Sequence, residues 1–102
     1  MNNQRRKELK VLINYLTSLR ERFEILKCDM ESLSEELGEI RDEEQEAFDN
    51  LPEGIQMSDR GVRMEEIIDT LDEAVSNVDY VDIEDVLSYI DDAINNIEEA
   101  IS

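Results

Sequence analysis

Ten large apolar residues recur along the first half of the chain in alternating steps of three and four. They are Leu9, Leu12, Leu16, Leu19, Phe23, Leu26, Met30, Leu33, Leu37 and Ile40. An α-helix turns once in about 3.6 residues, so this spacing lays them along one stripe. In heptad lettering the a positions are 9, 16, 23, 30 and 37, and the d positions are 12, 19, 26, 33 and 40. A stripe held this long without a miss is a coiled-coil seam, and another helix must cover it. The spacing predicts a helix over about residues 3–49, roughly 70 Å long at ~1.5 Å per residue.

What covers the stripe is set by the punctuation that follows. The stretch Glu43–Gly61, EEQEAFDNLPEGIQMSDRG, holds the only proline, Pro52, and two of the three glycines, Gly54 and Gly61. Proline lacks an N–H and glycine tolerates positive φ, so this cluster ends a helix. Asn50 falls where a C-cap belongs, Pro52 stops continuation, and Ser58 offers an oxygen to cap the next helix. The arms on either side are nearly equal, which makes an antiparallel hairpin. Residues Glu43 to Gly54, with Ser58, Arg60 and Gly61, also carry a likeness. The segment, about a fifth of the chain, resembles one in small acidic helical proteins encoded by phages and mobile elements of Gram-positive bacteria. The resemblance implies such an origin and a hairpin. It carries over no functional residue.

The second arm is less regular. Met64, Ile67, Leu71, Ala74, Val78 and Val81 follow one heptad phase. Tyr80, Ile83, Leu87, Ile90, Ile94, Ile97 and Ile101 follow another, offset by two residues. Two residues is about 200° of helix, so a straight helix would turn its apolar face backwards midway. A break at Asp79–Asp82 resolves this. Asp82 reads as an N-cap followed by Glu84 and Asp85, with Val81 and Val86 at hydrophobic-staple spacing. The expected fold is therefore all-α: a single helical domain, 1–102, with helices at about 3–49, 58–79 and 82–102. Its form is an elongated, coiled-coil-like antiparallel hairpin whose second arm is broken in two. The two pieces lie either end to end along the first arm or in a compact three-helix fold-back.

Charges fit this hairpin. Arg20, Lys27 and Arg41 share heptad position e and would meet an acidic second arm. Glu44, at the next a position, is expected to face Arg60 or Arg63. Arg5, Arg6 and Lys7 start the first helix and Glu98 and Glu99 end the last, each against the helix dipole. A hairpin would let these two ends neutralise each other. Apolar residues also lie outside the seam: Val11, Ile13, Tyr15 and Ile25 on the first arm, and Ile68, Val75, Val86 and Tyr89 on the second. Either the kinked arm wraps them, or a second copy covers them in a homodimer.

The chain has 28 Asp or Glu against 10 Lys or Arg, a formal net charge of −18, no His and one cysteine. Such a surface is repelled by phosphate, so direct nucleic-acid binding and anionic membranes are both disfavoured. No run approaches the ~18 apolar residues of a membrane span. The basic start MNNQRRKELK leads into no signal-peptide apolar run. The single Cys28 fits a reducing, cytoplasmic setting. It falls at position f, with no His partner, and reads as an incidental thiol. Without His or a glycine-rich phosphate loop, the usual catalytic constellations are missing, so no enzyme and no cofactor is expected. The run Asp79–Asp85 lacks the glycine and ligand spacing of a calcium loop, so no metal site is expected.

The remaining signal is how the charge is distributed. From Met64 to Ser102 there are 13 Asp or Glu and no Lys or Arg. Over a rod of roughly 70 Å, −18 approaches the one charge per ~3.4 Å of a DNA strand. Small acidic helical phage proteins that block host nucleic-acid enzymes are similar in composition and length. The expected function is thus a non-enzymatic binding module: a nucleic-acid mimic that occupies a basic surface of a host protein. The residues expected to meet the partner are Glu65, Glu66, Asp69, Asp72, Glu73, Asp91 and Asp92. The alternative is a coiled-coil adaptor or homo-oligomerisation protein whose acidity only solvates it.

Overall fold

The computed structural model describes residues 1–102. The chain is all-α, with α1 at Asn3–Asp49, α2 at Glu53–Gln56, α3 at Asp59–Asp79 and α4 at Ile83–Ile101. It folds as two compact units. The first joins Met1–Asp29 to Asp82–Ser102, and the second is Met30–Val81. The continuous helix α1 contributes its first half to one and its second half to the other.

In the first unit, α1 and α4 run antiparallel. Arg20 Nε donates to Asp91 Oδ1 at 2.6 Å and Nη2 to Asp91 Oδ2 at 3.1 Å. Seven residues on in α1, Lys27 pairs with Glu84, seven residues back in α4. One heptad forward on one helix and one back on the other is the register of an antiparallel pair. Leu87 is buried, and Ile83, Ile90, Ile94, Ile97 and Ile101 are partly buried beside it. Helix α4 starts where Asp82 accepts from the Asp85 N–H at 3.3 Å. Tyr80 is not part of this row. It is the C-cap of α3 and 90% exposed, so the break has turned it out into water.

In the second unit, α3 runs antiparallel to the later half of α1. Ser34 bonds Asp79, and seven residues on Arg41 Nη1 meets Asp72 at 2.9 Å. The core row of α3 is Gly61, Met64, Ile68, Leu71, Val75 and Val78, of which Gly61, Ile68 and Val75 are buried. This shifts the expected seam by one residue at two points: Ile68 and Val75 are buried, while Ile67 stays 41% exposed and Ala74 only partly buried, and Val81, expected at the end of the row, is 53% exposed.

The turn is built as a short helix rather than a loop. Helix α1 ends at Asp49, and Pro52, with φ −57° and ψ 146°, opens α2. Gln56 Nε2 then donates to the carbonyls of Phe48 at 3.0 Å and Asp49 at 3.4 Å. These are carbonyls of the last turn, where a helix leaves acceptors over; that of Phe48 also accepts from the Leu51 N–H at 3.0 Å. Ser58 caps α3, its side chain accepting from the Gly61 N–H. No glycine has positive φ. Gly61 is needed for space instead: a Cβ there would lie 2.6 Å from the Ile55 carbonyl oxygen and closer still to that of Gln56.

The inner face of α1 is also displaced from expectation. The a positions are partly buried, as are the e positions Ile13, Arg20, Lys27, Ser34, Arg41 and Phe48. Of the d positions, Leu12, Leu26, Leu33 and Ile40 are between 48% and 51% exposed, and Leu19 alone is partly buried. The seam is a with e, not a with d. The e row carries the groups that Asp91, Glu84, Asp79 and Asp72 bind, so docking the acidic helices on that side gives those carboxylates partners. The exchange leaves the d leucines half in water. Full burial of such a side chain is worth about 1.5–3 kcal/mol, so each forgoes roughly half of that. Exposed ion pairs return little, being screened and costly in side-chain entropy.

Two expected pairings do not form. Glu44 is partly buried, but no ion pair joins it to Arg60 or Arg63; the ion pairs of this unit are those of Arg41 with Asp42 and Asp72. The ion pairs of the first unit sit at Arg20 and Lys27 and not between Arg5, Arg6 or Lys7 and Glu98 or Glu99. The start of α1 is relieved locally instead: the Asn2 side chain accepts from the Arg5 N–H at 2.8 Å.

Candidate functional site

The amphipathic pattern of α3 puts its apolar residues on α1 and its carboxylates outward. Glu65, Asp69 and Glu73 lie four residues apart and Glu66 three before Asp69, so they are neighbours along one exposed flank of the helix. Glu65 and Asp69 line a shallow groove of ≈ 260 Å³ with Gln45, Phe48 and Ile68. Glu66 borders a second, of ≈ 290 Å³, with Arg63, Ile67, Thr70 and Leu71. The first groove sets two carboxylates beside apolar side chains, a surface that receives a cationic head on an aliphatic stem; the second has one carboxylate and the guanidinium of Arg63.

Two of the seven expected residues are already engaged. Asp72 holds Arg41, though it remains largely exposed. Asp91 is partly buried and gripped in a two-pronged bond by Arg20, which also pairs with Glu24. The hydrogen bonds from Arg20 hold the Asp91 carboxyl below its ordinary 3.8. The same bonds, first to Asp91 and then to Glu24, raise the Arg20 guanidinium. Arg41 is raised by its bonds to Asp42 and Asp72. These two carboxylates therefore fasten helix to helix. Asp92, next to Asp91, is exposed on α4 in the first unit, while Glu65 to Glu73 belong to the second.

The other fasteners, Glu84 with Lys27 and Asp79 with Ser34, were not foreseen. Their signal was the e row of α1, which named the basic partners without saying which acids would reach them. No three acidic or cysteine side chains converge as a metal site would require. No helix is long and apolar enough to cross a membrane. Comparison with known families, with curated proteins and with solved structures finds no match.

Proposed function

We propose that this chain is a non-enzymatic binding module, of phage type, that occupies a basic nucleic-acid-binding surface of a host protein in the cytoplasm. One observation carries the reading: 13 carboxylates and no basic residue between Met64 and Ser102. That is one per three residues, or about 4.5 Å of helix rise, against ~3.4 Å per phosphate on one DNA strand. A basic channel built for phosphates meets such a helix face with little geometric demand on any one group. The field of −18 also steers the approach at long range. Asp72 and Asp91 have intramolecular partners, so the contact set narrows to Glu65, Glu66, Asp69, Glu73 and Asp92.

The test uses the whole chain, immobilised, to capture basic nucleic-acid-binding proteins from a host lysate. Binding is expected to fall steeply with salt and to be displaced by added DNA or RNA. Single substitutions should do little. The combination Glu65→Gln, Glu66→Gln, Asp69→Asn, Glu73→Gln and Asp92→Asn should weaken capture progressively while circular dichroism stays helical. If that variant captures the same protein as well as wild type, and nucleic acid does not compete, the mimic reading is wrong.

A further inference from the structure

The side pairs of the second unit follow one register. Ser34 bonds Asp79, and one heptad on Arg41 bonds Asp72. One heptad further, the same register sets Phe48 opposite Glu65. Phe48 thus stands at the e position where Arg20, Lys27 and Arg41 carry a cation, and the ion pairs of this unit, at Arg41, do not reach Glu65. In place of a pair there is the groove of ≈ 260 Å³ lined by Gln45, Phe48, Glu65, Ile68 and Asp69. Every one of these residues belongs to the second unit.

Charge and shape together say what fits there. No cation of the chain lines the groove. Arg41 is held by Asp42 and Asp72, while Arg60 and Arg63 fall on the Ile67 flank, across α3 from Glu65 and Asp69. The unit has 17 acidic residues against 3 basic, so an outside cation is drawn in. Glu65 and Asp69 are one helical turn apart, about 5–6 Å between their β-carbons. A lysine ammonium is a compact, strongly hydrated point charge. A guanidinium is planar, stacks on an aromatic face and offers donors to two carboxylates at once. We infer that this groove is the seat of one arginine side chain of the bound protein, its guanidinium lying on the Phe48 ring and bonded to Glu65 and Asp69. The arginine completes from outside the rung that Arg41 and Asp72 complete from within. This deepens the proposed reading and rests on it for the source of the arginine, a basic surface of a host protein. The rest of the acidic flank responds to charge alone; the groove also distinguishes the shape of the cation.

Two glycine-spaced peptides that differ only in carrying arginine or lysine at each charged position serve as probes, titrated against the whole chain by calorimetry and by NMR. The arginine peptide should bind about threefold to fivefold tighter. It should shift the ring signals of Phe48 and not those of Phe23, the only other phenylalanine. Phe48→Leu keeps an apolar side chain and should abolish the preference while leaving the affinity for the lysine peptide unchanged. Glu73→Gln, outside the groove, should weaken both peptides alike. Equal affinity of the wild-type chain for the two peptides would overturn the inference. So would unmoved Phe48 signals, which are read on the wild-type chain whatever Phe48→Leu does to folding, or a preference that survives Phe48→Leu. Each of these leaves the mimic reading standing, since that requires only salt-sensitive capture and competition by nucleic acid. An arginine preference without such capture would sink the mimic reading and keep the seat.

Discussion

Single residues at the turn do more than punctuate. Gly61 sits where α3 passes the carbonyls of Ile55 and Gln56, and any β-carbon must push backbone aside. Gly54 meets nothing within 4 Å, and neither glycine has positive φ. The two therefore separate space from conformation. Gly54→Ala should be neutral or stabilising by up to ~1 kcal/mol, since alanine costs less backbone entropy in a helix. Gly61→Ala should destabilise by about 1–3 kcal/mol, the range for overpacking. Chemical denaturation of the two variants checks this, and equal effects would show that the close passage at Gly61 is not rigid. Gln56 belongs to the same scale. Its amide ties the turn to the end of α1 by bonding the carbonyls of Phe48 and Asp49.

At the scale of helices, the one-residue step between Ile67 and Ile68 decides what faces the core. Ile68 on α3 and Leu87 on α4 are the buried anchors of their units. Ile68→Ala and Leu87→Ala should each cost about 2–5 kcal/mol, as truncation of buried large side chains does. Ile67→Ala should cost about 1 kcal/mol or less, because its side chain already meets water. Thermal denaturation would show the contrast, and the reverse order would restore the heptad phase that includes Ile67. The displaced seam on α1 has the same origin. A helix face has no sharp edge, and the docking helix settles where apolar contact and charge pairing together are best. Arg20, Lys27 and Arg41 find their acidic partners on the e side.

For the whole molecule, self-repulsion is the chief opposing electrostatic force. With −18 and few buried residues, stability should rise from low to moderate salt, as the Debye length shrinks towards ~10 Å. Acid should act in the same direction at first, because protonation lowers the net charge. The Arg20–Asp91 pair sets where that gain ends. Its carboxyl is lowered in the folded state, so its stabilisation is present above the ordinary carboxylate value and is lost as pH falls through the lowered one. The pair should therefore hold through the window in which repulsion fades. Tm should climb from neutral pH towards about pH 4.5 and fall once the pH drops below the ordinary carboxylate range. Asp91→Asn should lower Tm at neutral pH and flatten the acid fall. A Tm that drops steadily from pH 7 to 4.5, or drops with moderate salt, would show that repulsion is not limiting.

Much of the architecture was legible because it depends on local rules. Heptad spacing, one proline and two N-cap residues are read one turn at a time. They led to the helix ends at Asp49 and Asp79 and to the caps at Ser58 and Asp82. The two-residue phase offset called for a broken second arm, since no straight helix can hide two faces at once. What the sequence could not decide was lateral placement. Leucines at d and basic residues at e border the same a row from opposite sides, and composition does not rank them. Only the packed helices show that Arg20 takes Asp91, that Arg41 takes Asp72, and that two expected contact residues are thereby spent inside the chain. The space around Gly61 is likewise a tertiary fact, because the atoms that crowd it belong to another helix. Periodicity says that a face is apolar; which neighbour covers it is decided by the competition of burial and charge over the whole surface.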